Sequence, residues 1–151
     1  MTTGSAPYPA VLDTQVVLDW LWFDDPRVHA LGHRVRGGTL RWLGTAPMRS
    51  ELAAVLGRGI LPTRARSAAS VLADYDRWCT PQPAAPATAL RCTDGDDQKF
   101  IDLALALAGH SGAAVLLTRD RAVLRLARRA RAHGLWIGPP ERWRDPADEP
   151  A

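Results

Sequence analysis

At 151 residues and 16.4 kDa, the chain is the size of one ordinary domain, able to bury roughly two thirds of its unfolded surface, with no room for a second. Hydrophobic residues at 46% and charged ones at 23% exclude a disordered or fibrous chain. The formal charge is +3, and all of the 19 basic residues except Lys99 are arginine. That usage suits bidentate contacts to phosphate and is equally the mark of a GC-rich coding sequence.

In chain order, residues 1–9 read as a disordered lead, 10–138 as one folded domain and 139–151 as a polar tail. Val11 and Leu12 predict a buried strand ending near Asp13, followed by a helical turn. Asp24 and Asp25 before Pro26 start a helix over 27–36, which the pair Gly37 and Gly38 closes. The β-favouring stretch 39–45 is a second strand. After Pro47, Met48, Leu52, Val55 and Leu56 recur at helical spacing up to Gly57, on a helix that carries Glu51. A longer helix covers 65–79, and the prolines of 80–87 forbid regular structure after it. Residues 88–92 read as a short edge strand and 93–110 as a capped helix with Phe100, Leu103 and Leu107 on one face. The apolar run 112–118 is a strand, 119–134 an amphipathic helix and 135–138 a last strand. Strands alternating with helices imply an α/β fold with a parallel sheet covered on both faces.

No apolar run approaches the roughly 20 residues of a membrane span. Residues 1–10 lack the basic start and apolar stretch of an export signal. Cys79 and Cys92 are too few for a disulfide framework and lack the spacing of a zinc site, so a reducing, cytoplasmic setting is expected.

Ligands of an open α/β sheet bind beyond the carboxyl ends of its strands. Asp13 and Asp120 each follow a strand and belong to that rim. Asp94, Asp96 and Asp97 begin a helix, and Glu51 lies in the early turns of another. Carboxylates brought together in this way repel unless a cation neutralises them, and such hard oxygen ligands suit Mg²⁺ or Mn²⁺. Each acid also has an ordinary role. Asp94 and Asp120 are good helix caps, Asp97 suits a helix start, and Glu51 has Arg49 beside it. Asp13 is different, because a carboxylate inside an apolar run needs a partner. His29 and His33 stand at helical spacing without the acid a zinc pair would need. His110 and His133 follow helices, where the dipole favours them.

The segments VLDTQVVLDWL, MRSELAAVLGR, RCTDGDDQKFIDLALA and LLTRDRAVLRLA, in that order over about residues 11–138, resemble the PIN domain family. The likeness is to the bacterial branch counted among toxin components of toxin–antitoxin systems. The resemblance implies a central parallel sheet of order 3-2-1-4-5 and an acidic cleft. It also implies metal-site acids at Asp13, Glu51, Asp97 and Asp120, with Asp94 and Asp96 as near neighbours and Thr14 and Thr118 as supporting hydroxyls. Where the family usually has Asn two residues after the first Asp, this chain has Gln15. Strand alternation puts Gln15 on the side of Asp13 and turns Arg119 away from Thr118 and Asp120.

The activity implied is hydrolysis of RNA phosphodiester bonds through Mg²⁺ or Mn²⁺ held by the four acids. Arg121, Arg125 and Arg128, with Arg129, form a stripe fit for the RNA backbone or for plain solvation. Arg27, Arg34 and Arg36 form another. Trp20, Trp22 and Trp42 suit base stacking or, as large aromatics near apolar runs, the core. The resemblance further implies a small antitoxin over the cleft, and similar proteins commonly form homodimers. Gln15 motivates a second reading, a degenerate module that binds RNA or a protein without cutting. A phosphatase with an aspartyl nucleophile is disfavoured because Gln15 stands where a second acid is needed. Dinucleotide binding is disfavoured because no Gly-x-Gly-x-x-Gly follows the first strand.

Overall fold

A computed structural model describes residues 6–63 and 66–146. The first strand, β1 (Tyr8–Leu12), leads through Asp13 into α1 (Thr14–Leu21). A 3-10 turn (Pro26–Val28), α2 (His29–Arg36), β2 (Leu40–Gly44), α3 (Ala46–Gly57) and α4 (Ala68–Trp78) follow. The two-residue β3 (Thr80–Pro81) comes next, then a 3-10 turn (Gly95–Asp97), α5 (Gln98–Ser111) and β4 (Ala114–Leu117). The short helices α6 (Arg121–Leu124) and α7 (Ala127–Arg131) precede β5 (Leu135–Gly138) and a last 3-10 turn (Pro140–Arg142). The sheet has five strands, all parallel, in the order 3-2-1-4-5.

Period-two alternation divides the core between the two faces. Ala10, Leu12, Val115 and Leu117 point into one cluster with Val16, Trp20, Leu31, Trp42, Leu52 and Val71. Val11 and Leu116 point into the other, with Phe100, Ile101, Ala104, Leu135 and Ile137. Continuous apolar strands are what a sheet covered on both sides requires. Trp20 and Trp42 are buried and pack in a tilted contact with 5.6 Å between ring centroids, so these two serve the core. At Gly44 the chain needs glycine, since a Cβ there would lie 2.7 Å from the Tyr75 hydroxyl and 3.0 Å from the Cys79 sulfur. Cys79 and Cys92 are both free, and burial pushes the Cys79 thiol up to about 12. Among the described residues no helix is long and apolar enough to cross a membrane.

Several elements differ from expectation. The third strand is Thr80–Pro81, inside the segment expected to have no regular structure, and residues 88–92 form no strand. Proline is tolerated at Pro81 because β3 is an edge, where the missing N–H has no partner to lose. The expected edge strand is instead tied down by α5 side chains. Gln98 donates to the Leu90 carbonyl (2.7 Å) and accepts from the Cys92 N–H (2.6 Å), while Asp102 accepts from the Thr88 N–H (3.2 Å).

Of the lead 1–9, residues 1–5 lie outside the described residues, and β1 already begins at Tyr8. Of the tail 139–151, residues 147–151 lie outside the described residues. The part before them folds back: Trp143 is buried against Tyr8, and Arg34 donates to its carbonyl at 3.2 Å. The start of the helix expected over 65–79 also lies outside, and α4 begins at Ala68, capped by Ser67. The single helix expected over 119–134 is broken between Leu124 and Ala127.

Candidate metal centre

Strand order reverses beside β1, whose neighbours are β2 on one side and β4 on the other. Such a switch point opens a crevice at the carboxyl ends of the strands. Asp13 stands there, its N–H bonded to the Leu117 carbonyl at 3.2 Å, so the ends of β1 and β4 are locked in register. The carboxylate caps α1 by accepting the Val16 N–H at 2.9 Å, and its second oxygen accepts the Thr118 hydroxyl. Burial raises its proton affinity against those two bonds, and the negative charges of Asp120 and Asp19 raise it further.

Thr118 also accepts the Asp120 N–H, at 3.0 Å, and so joins the two acids. Asp120 caps α6, its Oδ1 accepting from Ala122 (2.8 Å) and Val123 (3.3 Å). Across the crevice Glu51 projects from α3. One of its oxygens accepts the Thr14 hydroxyl and the other the Lys99 ammonium at 2.9 Å. Arg49, its neighbour in sequence, turns instead to Asp76 at 2.7 Å. Thr14 thus contacts one of the four acids, and Thr118 contacts both Asp13 and the backbone of Asp120.

Asp97 precedes α5 without a side-chain capping bond. Its Oδ2 is buried and has no hydrogen-bond partner. Burial first, then the charges of Asp120, Asp94, Asp13 and Glu51, push its carboxyl from 3.8 up to about 6. Asp97 thus feels the charge of each of the other three predicted acids. Asp94 is exposed and caps the preceding turn through the Asp96 N–H at 3.0 Å. The exposed Asp96 contributes its carbonyl to Lys99. Gln15 is turned along α1, its amide donating to Asp19 at 2.8 Å rather than to the acids.

A family model described as PIN domain matches residues 9–122. The chain belongs to the PIN domain family. A search of curated proteins returned no match. The PIN domain is a nuclease fold whose members generally work with divalent metals.

In this PIN domain, no three His, Cys, Asp or Glu side chains among the described residues are grouped so as to hold a metal ion as they lie. The donor set nevertheless fits a hard dication. It is anionic and all oxygen, and one of its oxygens is buried and unpaired. Asp13 and Asp120 are held by neutral donors rather than by guanidinium groups.

Three groups at or near the centre escaped sequence reasoning. Lys99, on Glu51, was marked only by being the sole lysine of the chain. Asp19 is buried one helical turn beyond Gln15 and pairs with Arg119 at 3.2 Å. Arg119 in turn holds Glu141 at 2.7 Å, and the two ion pairs clamp α1 to the segment after β5. The i, i+4 spacing of Gln15 and Asp19 signalled their own hydrogen bond, but the Arg119 pairs span 100 and 22 positions and left no local signal.

Proposed function

We propose that this PIN domain is a metal-dependent endoribonuclease in which Asp13, Glu51, Asp97 and Asp120 hold Mg²⁺ or Mn²⁺. The observation that carries the reading is Asp97: a carboxylate with one oxygen buried and unpaired and with four other acids raising its proton affinity. Such repulsion is costly without a cation. When bound, the metal supplies a water of lowered pKa and charge stabilisation at the leaving oxygen.

The chain's own residues do the rest. Thr118 bonds both Asp13 and the Asp120 backbone, and Thr14 holds one oxygen of Glu51. Arg121, Arg125 and Arg128, all exposed on α6 and α7 and the link between them, supply positive charge to the RNA backbone. In a toxin–antitoxin pair, a small antitoxin would act by covering this cleft.

The test is cleavage of single-stranded RNA with Mn²⁺ by the wild type and by Asp97→Asn, beside a calorimetric Mn²⁺ titration of both. The wild type is expected to bind metal and cut, and Asp97→Asn to lose both. Equal cleavage by the two proteins would assign the activity to a contaminant. Gln15, with its amide committed to Asp19, favours a second reading as a binding module. In that case the wild type binds RNA but neither Mn²⁺ nor Mg²⁺.

A further inference from the structure

Lys99 stands on the first turn of α5, its ammonium over the Phe100 ring, 4.8 Å from the centroid. The ammonium donates to Glu51 Oε1 at 2.9 Å and to the Asp96 carbonyl. The other oxygen of Glu51 is taken by Thr14, so both oxygens of this acid are engaged. Among the described residues, Lys99 is also the only basic side chain in an ion pair with any of the four acids. Its side chain is 25% exposed and that of Glu51 32%, so the pair is open to solvent on one side.

We propose that Lys99 is a tethered counterion that holds Glu51 until a divalent cation displaces it, and so sets the metal affinity of the centre. The proposal rests on the reading of the four acids as a metal centre. Two physical effects act in the same direction. An ammonium on Oε1 occupies lone-pair density that a metal would need, and two cations sharing one carboxylate repel. Lysine is suited to this role and arginine is not. A point charge on a flexible stem can let go of Glu51 while keeping the Asp96 carbonyl, whereas a guanidinium fork would grip both carboxylate oxygens. This one position is lysine in a chain whose other basic residues are all arginine.

The experiment is a calorimetric Mn²⁺ titration of the full chain as wild type, Lys99→Met and Lys99→Arg, with the melting temperature of each measured in EDTA. Lys99→Met should bind Mn²⁺ about tenfold more tightly, the effect of removing about 1.4 kcal/mol of repulsion between two cations on one carboxylate. It should also melt lower without metal, because the ammonium no longer offsets the carboxylate repulsion. Lys99→Arg should bind more weakly than the wild type and keep its metal-free melting temperature. Affinity in Lys99→Met that is equal to or weaker than the wild type overturns the proposal, and a weaker one would make Lys99 an orienting group for Glu51. If neither wild type nor Lys99→Met binds Mn²⁺, the metal-centre reading falls and this inference with it. If both bind equally, only this inference falls. Should Lys99→Met fail to fold, Lys99→Gln keeps a polar group of similar reach without the charge and is expected to tighten binding in the same sense.

Discussion

Asp97 expresses the repulsion of the crevice in a form that can be titrated. Its carboxyl is raised from 3.8 to about 6 in the folded protein, so the native state keeps a proton that the unfolded chain releases earlier. The stabilisation is complete below 3.8 and is lost as pH rises through about 6. In EDTA the wild type should therefore lose melting temperature between pH 4 and 7 relative to Asp97→Asn, which cannot ionise there. Comparing the two proteins removes the contributions of pairs such as Asp25 and Arg27, present in both. Parallel profiles would mean that the proton resides elsewhere, with Asp13 the next group to test. The places of Asp13 and Asp120 beyond strand ends were legible in the sequence, whereas Glu51 on α3 and Asp97 at the start of α5 were singled out by the family resemblance. Their partners were harder to read. Alternation put Thr118 and Asp120 on one side, but β4 ends at Leu117, before both, and Lys99 reaches Glu51 across 48 positions of sequence, a contact that no local pattern encodes.

Among the elements, the apolar strands and the Gly-closed helices were legible from periodicity, while the edge of the sheet was not. β3 is recruited by two backbone registers, Leu43 with Thr80 and Gly44 with Pro81, rather than by a β-favouring composition of its own. Residues 88–92 have strand-like composition, yet their backbone groups are satisfied by Gln98 and Asp102 reaching back from α5. A long-range side-chain arrangement of this kind leaves no periodic trace. The segment after β5 gives the clearest measurable case. Its charged composition reads as a solvated tail, but Trp143 is 4% exposed and Glu141 completes the Arg119 clamp on α1. Trp143→Ala should cost about 3 kcal/mol through lost burial and the cavity left behind. Urea unfolding followed by circular dichroism measures it, and an unchanged midpoint would show that the tail is not part of the cooperative fold.

For the whole molecule, topology and charge address different parts of the proposed reaction. Strand order 3-2-1-4-5 gathers negative charge at one switch point, while the net charge of +3 means that positive charge predominates over the chain as a whole. The exposed arginines of α6, α7 and the link between them follow directly from Asp120 along the chain. Phosphates drawn to Arg121, Arg125 and Arg128 would therefore approach the acids from the Asp120 side. None of these three forms an ion pair among the described residues, which leaves their charge available for counterion release on RNA. Each phosphate contact on a single strand contributes about 0.7 to the slope of log affinity against log salt. Measured on the non-cutting Asp97→Asn protein, the further changes Arg125→Ala and Arg128→Ala should lower that slope by about 1.4 together. They should leave the melting temperature unchanged, because both side chains are exposed. A slope that does not move would route the RNA across another face, with Arg27, Arg34 and Arg36 the next residues to substitute.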